Sequence, residues 1–109
     1  MTNPQHYTYR VTWSAEDGEH VGTCLELPSL SWLARTPAKA LAGIQALAAD
    51  AVADLEAAGE PVPDALAERR FSGQFNLRIS PELHRQLSTE AAERGMSLNR
   101  YVSDQLART

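Results

Sequence analysis

From Phe71 onward the sequence offers one strand and two helices, with no second strand to complete a sheet. Phe75, Leu77 and Ile79 alternate with Gln74, Asn76 and Arg78, the period-two pattern of a strand with one apolar and one polar face. Ser80-Pro81-Glu82 stops that strand and opens a helix: Ser80 caps, Pro81 takes the first helical position, and Glu82 sits at the positive end of the dipole. Leu83, Leu87 and Ala91 form its apolar stripe and Gly95 ends it. Ser97 caps a second helix with Leu98, Val102 and Leu106 inward and Tyr101 flanking that stripe. A lone strand cannot satisfy its hydrogen-bonding ladder, and so short a segment buries too little apolar surface to be stable alone. The pattern therefore calls for a second copy. Two strands would pair antiparallel about a twofold axis while four helices close over their apolar face. The expectation is a homodimer through the C-terminal strand, with a higher homo-oligomer left open.

Such pairing leaves Gln74, Asn76 and Arg78 of both chains on the open face of a two-stranded ribbon, a shape that fits the DNA major groove. Arginine matches the two acceptors of guanine, and asparagine or glutamine matches the donor–acceptor pair of adenine. These three are the candidate base-reading residues. The start of the second helix, with Ser97 and its free backbone N–H groups, suits a phosphate, and Asn99 and Arg100 stand beside it. Taken by itself, Gln-x-Asn-x-Arg reads first as the solvated outer face of an ordinary strand. Its weight comes from the strand–helix–Gly–helix setting.

The whole-chain net charge of −4 argues against a nucleic-acid partner, which is normally met by a basic surface. The number averages over a boundary, however. The stretch GEPVPDALAERR, Gly59 to Arg70, mixes proline, glycine and charge between two periodic regions and reads as a linker. Residues 1–68 hold three bases and ten acids, net −7, whereas residues 69–109 hold seven arginines and four acids, net +3. Charge asymmetry between halves hints at two jobs. The expected organisation is a first domain over 1–60, a linker over 61–70 and a second domain over 71–109.

In the first domain Tyr7, Tyr9, Val11 and Trp13 alternate with Thr8, Arg10 and Thr12, giving a half-buried strand. Glu16-Asp17-Gly18-Glu19 follows, with Asp-Gly supplying the positive-φ residue of a hairpin turn. Val21, Thr23, Leu25 and Leu27 alternate along a returning strand that Pro28 stops, and Ser31–Ala34 reads as a short third strand. Thr36 caps and Pro37 opens a helix of about 22 residues. Leu41, Ile44, Ala48, Val52 and Leu55 form its stripe, and Gly59 closes it. Three antiparallel strands under one long helix make a small α+β domain.

No catalytic residues are assigned, and the chain reads as a non-enzyme that needs no cofactor or metal. Glu16, Asp17 and Glu19 share a turn, where carboxylates are ordinarily solvated. A divalent-metal nuclease built on them is the competing enzymatic reading. Cys24 lies opposite Val21, Thr23 and Leu25 and reads as a small packed side chain. A single cysteine forms no internal disulfide, and His6 and His20 share no metal-ligand spacing with it. No apolar run approaches the roughly 18 residues a membrane helix requires, and MTNPQHYTYR lacks a basic-then-apolar signal region, so a cytoplasmic chain with no membrane partner is expected.

The segment GQFNLRISPELHRQLSTEAAERGMSLNRYVSDQLA resembles the ribbon-helix-helix repressors of the Arc/MetJ class. By that resemblance Gln74, Asn76 and Arg78 read bases and the Ser97–Asn99 helix start anchors a phosphate. The chain as a whole resembles the HicB antitoxins. The carriers are Tyr9-x-Val11-x-Trp13-Ser14-x-Glu16-Asp17-Gly18, Cys24-x-Glu26-Leu27-Pro28-Ser29-Leu30, and Thr36-Pro37-Ala38-Lys39-Ala40-Leu41-x-Gly43-Ile44. Gly59-Glu60-Pro61-Val62-Pro63 and Phe71-Ser72-Gly73 continue the match. Lys39 stands where an acidic residue is common in the family, and Ser29 where a glycine often follows the proline.

The resemblance implies an inactive, partial ribonuclease-H-like N-terminal fold followed by a ribbon-helix-helix dimerisation domain. It further implies that the first masks a small basic HicA-like mRNA-cleaving toxin and the second represses the operon through operator DNA. Glu16, Asp17, Glu19 and Glu26 are the candidates for toxin contact. A stand-alone ribbon-helix-helix regulator, with a sensing or oligomerising N-terminal domain, is the alternative.

Overall fold

A computed structural model describes residues 2–108. The chain divides into two compact units, Met1–Phe71 and Ser72–Thr109.

In the first unit a short 3-10 turn, Pro4–His6, precedes β1 (Tyr9–Ser14), β2 (Glu19–Cys24), β3 (Ser31–Ala34) and α1 (Pro37–Ala57). The strands form an antiparallel sheet in the order β1-β2-β3. Gly18 takes the hairpin's left-handed position at φ 65°, its N–H donating to the Ser14 carbonyl at 2.8 Å. Thr36 caps α1 by accepting the Lys39 N–H, with Pro37 at the first turn as expected. With lysine rather than a carboxylate at position 39, the reciprocal half of a capping box is absent. At the other end Gly59 adopts φ 68°, and the Gly59 and Glu60 N–H groups close on the Glu56 and Leu55 carbonyls, the double bond of a Schellman stop.

The face that β2 turns inward carries Gly22 and Cys24, with Cys24 packed as the sequence reading has it. Tyr9 pairs with Cys24 and Val11 with Gly22, so Gly22 and Cys24 lie on the side that α1 covers and both are buried. Val21 and Thr23 sit half-buried on the other face and Leu25 is exposed, whereas Leu27, beyond the strand, packs on the core. The strand also ends at Cys24 rather than at Pro28. The cause is steric. Alternation in Val-Gly-Thr-Cys-Leu favours the large residues, but α1 approaches too closely for a side chain at position 22: a Cβ there would lie 2.6 Å from the Ala40 carbonyl oxygen. A glycine marks where a helix backbone meets a strand. The helix stripe shifts correspondingly, with Ala40, Ile44, Ala48 and Val52 buried and Leu41 left exposed. Trp13 is also exposed and stacks edge-on against His20 at 5.0 Å between ring centres.

The expected linker is a second correction. Residues 61–70 strap back onto the first unit. Val62 packs against the core and Ala65 is buried within it, while the Tyr7 hydroxyl donates to the Pro63 carbonyl at 2.6 Å. His6 pairs with Glu68. The proline–charge composition signals irregular backbone correctly, but irregular backbone that carries Val62 and Ala65 still has apolar surface to bury. The unit boundary at Phe71 assigns Arg69 and Arg70 to the first unit, so the net charges become −5 and +1.

The second unit holds α2 (Pro81–Glu93) and α3 (Leu98–Ala107). Ser80 accepts the Leu83 N–H and Ser97 the Arg100 N–H, both as the sequence implies. Gly95 at φ 66° sits in a second Schellman stop, with Gly95 and Met96 donating to Ala92 and Ala91. Residues 71–80 take no regular secondary structure. One chain supplies one such segment, and a segment without a ladder partner is not a strand.

Candidate functional site

Two surfaces carry the candidate residues, one on each unit.

On the second unit Gln74, Asn76 and Arg78 are all exposed, as are Phe75, Leu77 and Ile79 between them. Phe75 retains 76% of its accessible surface and Leu77 60%, values unlike those of a finished core. The segment borders a concavity of about 1060 Å³ lined on the helix side by Leu87, Leu98 and Val102. Upstream, Gly73 at φ 86° and the Ser72 hydroxyl, which accepts the Gln74 N–H at 3.1 Å, set the chain's entry into this segment.

Ser97 and Asn99 are exposed at the start of α3, with Arg100 beside them. The Ser97 hydroxyl accepts the Arg100 N–H, so its oxygen serves the cap. A phosphate there would be met by the N–H groups of the first turn rather than by an unoccupied serine lone pair.

One network here escapes sequence reasoning. Tyr101, expected to flank the α3 stripe, is buried at 5% exposure. Its hydroxyl donates to Glu90 Oε2 at 2.7 Å and accepts from Arg94 Nη1 at 2.8 Å, and the Arg94 guanidinium lies 5.1 Å from its ring centre. The phenol's bond holds the Glu90 carboxyl below its usual range, with a further bond from Gln86. The available signal was Glu90 and Arg94 spaced four apart on one helix face, able to grip a single group on the next helix.

On the first unit Glu16 and Asp17 are exposed on the β1–β2 hairpin and Glu19 is half-buried at its base. Asp17 is partly committed to the turn, accepting from the Ser14 hydroxyl at 2.8 Å. Among the described residues no group of three or more His, Cys, Asp or Glu side chains is placed to hold a metal ion.

Glu26 stands apart from that hairpin. Its carboxylate accepts the Thr8 N–H at 2.8 and 3.1 Å, the Thr8 hydroxyl at 3.2 Å and the Leu66 N–H at 3.0 Å, and the Cys24 thiol reaches it at 3.7 Å. It thereby ties the end of β2 to the chain before β1 and to the 61–70 strap. Burial pushes its carboxyl up, but the N–H groups of Leu66 and Thr8 outweigh that and hold it below the ordinary 4.5. A depressed value stabilises the fold above the unfolded-state value, and that contribution is lost as pH falls through the lowered one. Chemical denaturation of the first unit should therefore show a fall in stability below about pH 4.5 that Glu26→Gln flattens. The same variant should cost about 1–3 kcal/mol at pH 7. An unchanged pH profile in Glu26→Gln would remove this role.

Residues 57–106 match the model of the HicB family. The matched span takes in the end of α1, the strap and nearly all of the second unit. No curated protein and no solved structure matches the chain. Among the described residues no helix is long and apolar enough to cross a membrane.

Proposed function

We propose that this chain is the antitoxin of a type II toxin–antitoxin pair. It masks a small basic HicA-like mRNA-cleaving toxin with its first unit and represses its own operon through a dimeric ribbon-helix-helix second unit. The observation that carries the proposal is the pattern at residues 74–79, within the span that matches the HicB family. Three large apolar side chains are exposed in alternation with Gln74, Asn76 and Arg78, ahead of two serine-capped helices. A second copy of the segment completes the ladder, covers the apolar face and leaves the three polar residues outward.

Net charge supports the DNA half only weakly, because the second unit is +1 once Arg69 and Arg70 fall to the first. Base-edge chemistry has to supply the specificity. Arg78→Ala should weaken binding to a selected operator duplex by about 1–3 kcal/mol and leave the dimer intact. Equal losses on selected and random duplexes would make Arg78 a phosphate contact instead.

On the toxin side, the first unit's net −5 favours encounter with a basic protein, and Glu16, Asp17 and Glu19 are the proposed contact residues. Glu26, bonded to its own chain, enters only by holding β2 and the strap in place. The test is titration of the chain against a purified small basic toxin encoded beside it, with cleavage of RNA as the readout. Cleavage that continues with the chain in excess rejects the antitoxin role. If selected DNA is still bound, the chain is a stand-alone regulator.

A further inference from the structure

We infer that Tyr101 is a positioning residue for DNA phosphate contact, fixing the direction in which the α3 N-terminus points through its bonds to Glu90 and Arg94. This rests on the DNA-binding reading and names a part of that site which does not itself touch DNA.

The helix start is held from two sides. Locally, the Schellman stop at Gly95 and the Ser97 cap leave only Met96 between α2 and α3, so little chain is available to swing. That short joint fixes where α3 begins but not its rotation or tilt about that point. Tyr101 lies one turn into α3, and its hydroxyl is gripped by residues four apart on α2: Glu90 in the helix and Arg94 at its C-cap. Gln86, a further turn back, donates to Glu90 at 3.3 Å and steadies that carboxylate. The phenol is thus bound as donor and acceptor at once, with its ring buried and the guanidinium against it. Rotating α3 about its axis would break both bonds and expose the ring.

The orientation bears on function because hydrogen bonds to phosphate oxygen are directional. Donor angles below about 120° weaken them steeply. The Leu98 and Asn99 N–H groups at the first turn share a single direction, that of the helix axis. A modest tilt of α3 therefore misaims all of them together. A dimer places two such helix starts on one duplex, so the loss is counted twice.

The discriminating variant is Tyr101→Phe in the full chain, which keeps the buried ring and removes only the hydroxyl. The DNA probe is a duplex enriched from a random-sequence pool by the wild-type chain, with a scrambled duplex of equal length as control, at one fixed salt concentration. Tyr101→Phe should keep its helix content and dimer while binding both duplexes on the order of tenfold more weakly. The ratio of the two affinities should be unchanged, because the ribbon still reads bases. Glu90→Gln in the chain that keeps Tyr101, whose amide oxygen can still accept from the phenol, should hold affinity to within about twofold of wild type. If Tyr101→Phe fails to fold, Glu90→Ala on the half-buried α2 face probes the same grip and should show the same parallel loss. A folded Tyr101→Phe dimer that binds like wild type overturns the proposal, as does a loss confined to the selected duplex. A wild-type chain that enriches no duplex overturns the DNA reading itself.

Discussion

Gly22→Ala is expected to destabilise the first unit by about 3 kcal/mol, enough to lower its Tm by on the order of 15 °C. Glycine at this position is not needed for its backbone freedom, since residue 22 is an ordinary strand residue paired with Val11 and Trp32. What it provides is an absent Cβ. The added methyl would meet the Ala40 carbonyl oxygen at 2.6 Å and Ile44 Cγ2 at 2.8 Å. The first of these is backbone in the opening turns of α1, and the second belongs to a side chain with no exposed surface. Neither can move aside alone, so the helix must lift off the sheet and loosen Ala48, Val52 and the strap packed beyond them.

Gly43 provides the contrast. A Cβ there would strike the Trp32 indole, but Trp32 keeps 45% of its surface exposed and can swing outward. Gly43→Ala should cost about 1 kcal/mol and appear chiefly as a change in tryptophan fluorescence. Thermal melts of the two variants decide the matter. Equal costs would mean that α1 does not ride on Gly22 as described.

Leu77→Lys should abolish the dimer proposed for the second unit, raising its dissociation constant by about a thousandfold or more. Leu77 is the central apolar residue of the 74–79 alternation and is 60% exposed in the single chain. Burying a side chain of that size is worth roughly 1.5–3 kcal/mol, and a twofold interface counts it twice. A lysine ammonium there would also have to be desolvated beside Phe75 and Ile79 of both chains. Helicity from α2 and α3 should fall in parallel, because Leu83, Leu87, Leu98 and Val102 would lose their cover. The first unit should melt as before, since its core lies wholly within Met1–Phe71. Gln74→Lys, one step out of phase on the polar face, should leave the dimer untouched. Sedimentation of the two variants reads the alternation directly. A Leu77→Lys chain that stays dimeric with full helicity would exclude an intertwined ribbon.

Much of this molecule was legible before any coordinates. Thr36, Ser80 and Ser97 cap the helices they were expected to cap, and Gly18, Gly59 and Gly95 take the left-handed conformations their turns require. The three-stranded sheet and the 31–34 strand also match the pattern. These features are decided within a few residues, by a hydroxyl reaching the N–H three positions on or by a φ that only glycine adopts cheaply. The candidate sites were less legible. Gln74, Asn76 and Arg78 are exposed along with every other residue from 71 to 80, and the commitment of Glu26 to Thr8 and Leu66 spans 18 and 40 residues and left no local trace.

By itself the sequence determined where each helix starts and stops and that residues 74–79 alternate apolar and polar side chains. Only the tertiary structure decided which face of β2 turns inward, that the proline-rich stretch completes a core, and that Tyr101 is a buried clasp. The difference has one physical cause. Caps and turns satisfy backbone groups with near neighbours, so the choice is local. Which surface is buried depends on how closely another element can approach, and that was set by Gly22 beneath Ala40 and by the grip of Glu90 and Arg94 across the α2–α3 turn.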